Sequence, residues 1–386
     1  MKENKILILA TTASMIEQFN MHNVSILKSL GAEVHVGTNF KKPGNITQLE
    51  SEEFKKNLEN MGVRCHQIDF LRGIGTRKEN KKALEETISI IQENQISGIH
   101  AHSPLGGIIV RRSAHNKTRT KILYTTHGFQ FFKHGPIKDW LLFFPVYFFY
   151  SRWTDAIITI NKNDYHYAKH LMANNCYYIP GVGTDIINSL SVPKSEKRQL
   201  RLKGRNKLHV SDDDYLIISV GELNDNKNHE TVIKAISKLN NPRIKYVIAG
   251  IGNKKEQLER LIQSLGLTRQ VKLLGYQKDL NELYYAADLN AFISKREGLG
   301  FGGLDGVARG LYIIGTKNTG MEDYIINDNI GILIDNPTSV REVSNAINNA
   351  MNDQRDICSL NFLKKFDYSF VDNLMQDIYR REFFNQ

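Results

Sequence analysis

Along the 386-residue chain, short apolar runs alternate with longer stretches in which apolar residues recur at three- and four-residue spacing. KILILAT (5–11), AEVHVGTN (32–39), ISGIHAHS (96–103), KILYTTHG (121–128) and TDAIITIN (154–161) are short, β-prone and bounded by turn residues. Such runs predict strands buried on both faces. SMIEQFNMHNVSILKSLG (14–31), the segment near 105–115 and YHYAKHLM (165–172) fall between strand-like runs and predict helices. NCYYIPG (175–181) is one more short strand-like run. The rhythm restarts at YLIISVGEL (215–223) and continues through IKYVIAGIG (244–252), VKLLGY (271–276), LNAFIS (289–294) and LYIIGT (311–316). Amphipathic helical segments such as NHETVIKAISKL (228–239) and KEQLERLIQSLG (255–266) separate these runs. Strands alternating with helices imply right-handed βαβ units and parallel sheets.

Two such series imply two Rossmann-like domains, with a cleft between them as the default binding site. The stretch between the series, PGVGTDIINSLSVPKSEKRQLRLKGRN (180–206), is rich in turn and charged residues, and places a linker near 180–195. The expected domains are 1–185 and 186–365. FDYSFVDNLMQDIYRREFF (366–384) predicts one amphipathic helix, with packing back onto the first domain as one option for it.

Composition is that of a soluble globular protein, with 41% hydrophobic and 24% charged residues. The three cysteines, Cys65, Cys176 and Cys358, have no metal-ligand spacing and suit a reducing compartment. The basic start and short apolar run of MKENKILILATTAS resemble a weak signal peptide, but a buried first strand fits better because helical, polar sequence follows directly. Net charge is +10, and the excess is concentrated early: residues 1–185 carry 23 Lys and Arg against 16 Asp and Glu. No basic stripe interleaved with stacking aromatics marks a nucleic-acid surface. An anionic membrane, a phosphate-bearing substrate or a merely solvated basic surface all remain compatible with that charge.

The stretch REGLGFGGLDGVARG (296–310) poses a chemical question. Gly300, Phe301 and Gly302 offer backbone amides at a helix start, which favour an anion. Glu297 and Asp305 are acceptors when ionised and would repel that anion. A ligand carrying both a diphosphate and sugar hydroxyls satisfies both halves, whereas a glycine-rich turn with solvated acids needs no ligand. In VGELNDNKNH (220–229), a strand–helix turn would project Lys227 from the carboxyl end of a strand, as a point charge suited to diphosphate. AGIGNKKEQL (249–258) is a glycine-bearing turn, but Lys254 occupies the third position of the dinucleotide fingerprint. His127, between Thr126 and Gly128, is a candidate reacting-centre residue or a histidine that satisfies a loop.

The strand–GEL–Lys227 turn, the AGIG turn, LGYQKDLNELYYAADLNAFIS (274–294), REGLGFGGLDG and GTKNTGMEDYI (315–325) occur in an order and spacing that resembles glycosyltransferase family 4. These are the retaining enzymes of GT-B fold. ASMIEQFNMHNVSILKSLGAEVHV, HSPLGGIIVRR, YTTHGFQFF and TDAIITINKNDY are similar to the branch that builds capsular and exopolysaccharides, so the resemblance spans nearly the whole chain. It implies an α/β GT-B architecture, two Rossmann-like domains with parallel sheets facing a central cleft. The first domain would bind acceptor and the second the nucleotide sugar.

The resemblance implies roles residue by residue. Glu297 matches the first acid of the E-x7-E motif, on the donor sugar, and Asp305 stands at the second, on the ribose hydroxyls. Lys227 matches the lysine on the donor diphosphate, with the amides of Gly300, Phe301 and Gly302 beside it. His127 matches the first-domain histidine at the reacting sugar, and Tyr276 lies near the turn that receives the base. The catalytic set would be His127, Lys227 and Glu297. Two positions depart from the pattern: Glu222 stands where many members carry arginine, and Asp305 is one methylene shorter than the usual Glu.

The implied reaction moves a sugar from a nucleoside-diphosphate donor, UDP by preference, to a hydroxyl of a polyprenyl-diphosphate-linked saccharide. It needs no cofactor or metal. A nucleotide-sugar 2-epimerase, or a non-catalytic sugar-nucleotide-binding partner of a transferase, stays open as an alternative. Trp140–Tyr150 is an eleven-residue apolar run, shorter than the roughly twenty residues that span a bilayer. With Lys138 and Arg152 at its flanks and Trp140, Phe143, Phe144 and Trp153 along it, the segment reads either as an interfacial helix or as a buried one. The first reading places the protein in the cytoplasm, peripheral on the inner face of the cell membrane.

Overall fold

The computed structural model describes residues 4–71, 73, 75–117, 120–352 and 359–384; Cys358 lies outside the described residues. The chain forms two compact units: Met1–Gly183 with Tyr368–Gln386, and Thr184–Asp367.

The first unit holds a seven-stranded sheet of β1 (Lys5–Leu9), β2 (Glu33–Thr38), β3 (Arg64–Gln67), β4 (Gly98–His102), β5 (Lys121–Thr126), β6 (Ala156–Thr159) and β7 (Asn175–Tyr178). Its order is β3-β2-β1-β4-β5-β6-β7, and every pairing is parallel. The second unit holds β8 (Tyr215–Val220), β9 (Ile244–Ala249), β10 (Val271–Gly275), β11 (Leu289–Ala291), β12 (Tyr312–Thr316) and β13 (Gly331–Ile334). The order there is β10-β9-β8-β11-β12-β13, again parallel throughout. Both are doubly wound. The strand order reverses between β1 and β4 in one sheet and between β8 and β11 in the other, and such reversals are where ligands bind in open α/β sheets.

Continuous apolar runs form these strands because helices cover both faces. In the second unit Ile217, Ile248 and Ile314 point into one core, and Leu216, Ile218 and Val247 into the core on the opposite face. Helix Lys194–Leu208 closes the second core against helix Asn281–Ala286. It is built from the charged stretch that follows the linker expected near 180–195. Its Arg205 is buried and donates to Ala286 O (3.0 Å), Asp214 O (2.6 Å) and the Asp288 carboxylate (3.2 Å), which is why a segment so polar packs at all.

The helix predicted across 14–31 is two, Ala13–Phe19 and Met21–Ser29. Asn20, fully buried, breaks it: its side-chain amide donates to Met15 O and its carbonyl accepts from Asn23. The C-terminal segment forms helix Tyr368–Tyr379 and a further π turn, Arg380–Phe384, and both belong to the first unit. Val371, Met375, Ile378 and Tyr379 form its buried face. Lys121 donates to Glu382 O (2.7 Å), and Tyr177 and Asn175 donate to its carboxylate (2.7 and 2.9 Å).

Helix Ile137–Ser151 divides the aromatic run. Trp140, Phe143 and Phe144 pack against the first core, and Trp140 donates its indole N–H to Phe132 O (3.0 Å). Those three candidates for membrane contact are therefore turned inward, and Trp153 is half-buried beside His115 and Phe149. The outward face consists instead of Ile137 and Leu141, 76% and 72% exposed, with Leu142, Phe148 and Phe149. Lys138 and Arg152 are exposed on that same face. Helical spacing explains the division: 137, 141 and 148 share one side, and 140, 143, 144 and 147 the other.

Candidate active site

In the second unit Lys227 and Glu297 meet at the carboxyl ends of β8 and β11, the point of strand-order reversal. Lys227 lies in the turn after β8 and Glu297 in the loop after β11. Lys227 Nζ is 2.5 Å from Glu297 Oε1 and 4.6 Å from the centroid of the Phe292 ring. The side chains are 20% and 12% exposed, so the pair is shielded but not dry.

Three asparagines in LNDNKNH set this geometry. Asn224 Oδ1 accepts from the Lys227 amide (3.0 Å), so a side chain three residues back closes the turn. Asn226 ties the two loops together: its amide donates to Arg296 O (2.9 Å), its Oδ1 accepts from Arg296 N–H (3.1 Å), and its backbone carbonyl accepts from Lys295 N–H (2.8 Å). Asn228, left-handed at φ 58°, caps helix His229–Leu239 and donates to Pro337 O (2.6 Å). A side chain on Gly221 would meet the aliphatic stem of Lys227 at 3.1 Å, so that glycine gives the lysine its path.

The glycines of 300–303 serve helix Phe301–Ala308. Gly300 precedes it at φ +84°, a conformation that costs other residues energy. Gly303 and Leu304 N–H make the first intrahelical bonds, to Gly300 O, so the helix start carries the partial positive charge expected there. A Cβ on Gly303 would lie 2.3 Å from the Tyr324 hydroxyl, which donates to Gly300 O (3.1 Å). Buried Tyr324 thus holds the loop from behind. Asp305 does not join the Lys227–Glu297 pair; its Oδ1 accepts from Thr184 Oγ1 (2.9 Å). Burial pushes its carboxyl above the usual range, against the pull of Arg309. Tyr276, after β10, is 73% exposed, and Glu222 is half-buried in the turn before Lys227.

His127 belongs to the first unit, at the end of β5. Its Nε2 lies 3.1 Å from His102 Nδ1, and the His102 ring is 4.1 Å from that of His100. His100 is bonded on both nitrogens, to Tyr379 Oη (2.6 Å) and Thr125 Oγ1 (2.7 Å). Burial holds His127 down at about 4 and His100 at about 3, so both are neutral near pH 7. His102 is lowered in the same direction by burial and by its two histidine neighbours. A neutral imidazole can accept or donate one proton at fixed atoms, and here the tautomers of His102 and His127 are coupled through their shared hydrogen bond.

Sequence reasoning missed His102, Asn226, Tyr324 and Thr184. The three asparagines spaced at two in 224–228 carried a turn signal for the loop clasp. Nothing local marks Tyr324 or Thr184, which reach the loop from distant segments.

Comparisons with known proteins cover both units. The model for "Glycosyl transferases group 1" matches residues 201–366, and that for "Glycosyl transferase 4-like" matches 5–161. A Bacillus subtilis (strain 168) protein named as a glycosyltransferase, EpsD, is 33% identical over 340 residues, 86% of this chain and 83% of that one. A Campylobacter jejuni N-acetylgalactosaminyltransferase, named as acting on a diphospho-undecaprenol-linked saccharide, is 32% identical over 123 residues, 32% of this chain and 33% of its own. Among solved structures, Anabaena HepE in complex with UDP and glucose superposes with TM-score 0.69 at 19% identity, covering 99% of this chain and 96% of that one. Sucrose-phosphate synthase of Thermosynechococcus elongatus gives 0.74 at 16%, covering 98% and 99%. At those identities the structural likeness establishes the fold.

Proposed function

The chain belongs to the family 4 glycosyltransferases of GT-B fold, and from that premise we propose that it moves a sugar from UDP-sugar to a hydroxyl of a polyprenyl-diphosphate-linked saccharide, with retention, in exopolysaccharide or capsule synthesis. The Lys227–Glu297 pair at the switch point of the second sheet carries this reading. It sets a cation for a diphosphate beside an acceptor for sugar hydroxyls, at the start of a helix that favours an anion. UDP is supported by the HepE complexes and the lipid-linked acceptor by the Campylobacter relative's name, while the polymer rests on the sequence resemblance set out above.

In this mechanism the bond from the sugar's anomeric carbon to the diphosphate oxygen breaks, and a bond to the acceptor oxygen forms on the same face. The departing phosphate oxygen takes the acceptor's proton. Lys227 and the amides of 300–302 stabilise the charge that develops, a preorganised electrostatic effect. Glu297 holds sugar hydroxyls and Asp305 the ribose diol, while neutral His127 hydrogen-bonds the reacting sugar. Tyr276 lies beside the base. No metal is required, so EDTA leaves turnover unchanged.

The outward face of helix Ile137–Ser151 seats the protein on the inner, anionic face of the cell membrane. Among the described residues no helix is long and apolar enough to cross a bilayer. Ile137, Leu141, Leu142, Phe148 and Phe149 supply exposed apolar area, and Lys138 and Arg152 supply charge of the right sign. The Arg152 guanidinium lies 3.8 Å over Phe149 and 4.5 Å over Trp153, holding cation and aromatic together as at a membrane interface.

Incubation with labelled UDP-sugars, with and without lipid-linked acceptor, tests the reading. Sugar on the acceptor is expected. Epimerised donor would favour a 2-epimerase, and binding without turnover a non-catalytic partner.

A further inference from the structure

Three histidines adjoin on one face of the first sheet. His100 and His102 lie two apart on β4, Thr125 and His127 two apart at the end of β5, and the parallel register sets His102 opposite Thr125. Residues two apart in a strand share a face, so the four side chains meet. His102 is 1% exposed. Its Nδ1 lies 3.1 Å from His127 Nε2, and its own Nε2 is buried without a hydrogen-bond partner. His127 is half-buried, and among the described residues no hydrogen bond occupies its Nδ1.

Two proton arrangements fit this contact. In the first, His102 Nδ1–H donates to His127 Nε2, and the His127 proton sits on Nδ1. In the second, His127 Nε2–H donates to His102 Nδ1, and the His102 proton sits on Nε2. The second strands a buried N–H on His102 Nε2, whereas the first leaves only a lone pair there. Orphaned buried N–H groups are rarer in folded proteins than unmet acceptors, because each keeps the full desolvation cost of a donor. His102 borders a void of about 10 Å³, the lower limit for one water, but its Nε2 is closed off from solvent-sized space, so water does not meet that N–H. Burial keeps both rings neutral near pH 7, so each carries a single proton.

We propose that His102 is a positioning residue that holds His127 in its Nδ1–H tautomer, so that His127 presents a hydrogen-bond donor to the reacting sugar. With Nε2 engaged and Nδ1 protonated, His127 has no free lone pair. It donates to a sugar oxygen and cannot take the acceptor's proton, a task that stays with the departing phosphate. This rests on the contact between His127 and the sugar proposed above.

Long-range proton–nitrogen correlation NMR of the full-length protein, labelled in its histidines, reads the tautomers directly. His127, assigned by the loss of its signals in His127→Asn, should be protonated on Nδ1 in wild type, the tautomer that free neutral histidine disfavours. In His102→Phe, which keeps a ring in place, His127 should revert to Nε2–H. His102→Leu repeats the measurement if circular dichroism shows the Phe variant unfolded. A wild-type His127 protonated on Nε2 overturns the proposal without any variant, and so does a tautomer that loss of His102 leaves unchanged. Sugar transfer tests the consequence. His102→Phe should lower kcat about tenfold, the worth of one neutral hydrogen bond, with donor KM changed less than about threefold. His127→Asn carries an amide N–H that can stand in for Nδ1–H without a tautomer to set, so adding His102→Phe to it should lower kcat less than about twofold further. An equal loss in both backgrounds overturns the positioning role. Wild-type kcat in His127→Ala overturns instead the sugar contact beneath the proposal, and leaves the tautomer assignment to stand on the spectra.

Discussion

Lys227→Met removes a cation with two roles, one proposed and one seen in the structure. Toward the donor, the proposed mechanism makes it the charge that meets the developing diphosphate. Loss of such a contact costs on the order of 3 kcal/mol, about a hundredfold in kcat. Glu222, in the turn before Lys227, is an acid and cannot compensate that loss. Toward the protein, Lys227 neutralises Glu297 at 2.5 Å. Breaking a fully buried pair costs roughly 3–5 kcal/mol, but side chains 20% and 12% exposed let water relieve part of this, so about 1–2 kcal/mol of stability should go. The two losses separate in the double variant Lys227→Met/Glu297→Gln. With no carboxylate left unpaired, its stability should return to within about 0.5 kcal/mol of wild type, because the charge is gone from both sides. Its rate should not return. Steady-state transfer of labelled sugar and urea unfolding, run on wild type and three variants, read both quantities. A Lys227→Met enzyme within threefold of wild-type kcat, or a double variant that regains the rate, would refute the leaving-group role.

Asp305→Asn should raise KM for the donor with little change in kcat, because ribose contacts persist through the reaction, whereas Glu297→Gln should mainly lower kcat; separate KM and kcat values check this. Acid should destabilise the first unit through its histidines. Burial holds His100 at about 3, below its unfolded value, so the unfolded chain binds the proton first. The stability it contributes is full above about pH 6.5 and is lost as pH falls toward 3, and at pH 5.5 the loss from His100 alone should be on the order of 1 kcal/mol. Unfolding midpoints between pH 7.5 and 5 should therefore fall, and His100→Gln should flatten the slope; an unchanged slope would dismiss His100 as the cause. Leu141→Ser/Phe148→Ser should abolish sedimentation with anionic liposomes at unchanged melting temperature, and wild-type binding should weaken in high salt, since each basic residue near the surface contributes about 1 kcal/mol. Early melting of that variant would mean that the face is structural.

The two sheets were legible because buried parallel strands are apolar on both faces, and runs such as KILILAT and YLIISVGEL are too short for core helices and recur between helical segments. KSEKRQLRLKG, just past the linker expected near 180–195, carries no apolar run that announces a packed helix, and it packs because Arg205 is given the Asp288 carboxylate and the three carbonyls it binds from within the fold. Likewise nothing within 14–31 shows that Asn20 turns inward and ends a helix. At the candidate site Lys227 and Glu297 were legible from turn and loop composition, but their mutual pairing was not, since 70 positions separate them. The aromatic run forms one helix with a buried and an exposed apolar side, divided by side rather than by residue type. A composition reading names Trp140 and Phe144 first because they are the bulkiest, and those are the residues that the core takes.

The return of the last segment to the first unit has a bearing on how the protein is made. Chains fold as they emerge, domain by domain, at about 5–20 residues per second. The first sheet is fully synthesised at Tyr178, yet the bond from His100 to Tyr379 and the seat of Glu382 wait for about 200 further residues, on the order of 10–40 seconds. Through that interval the second unit can complete while the first still lacks a wall. The order of maturation is thus the reverse of the order of synthesis, and the unit begun first is the last to close over its histidines.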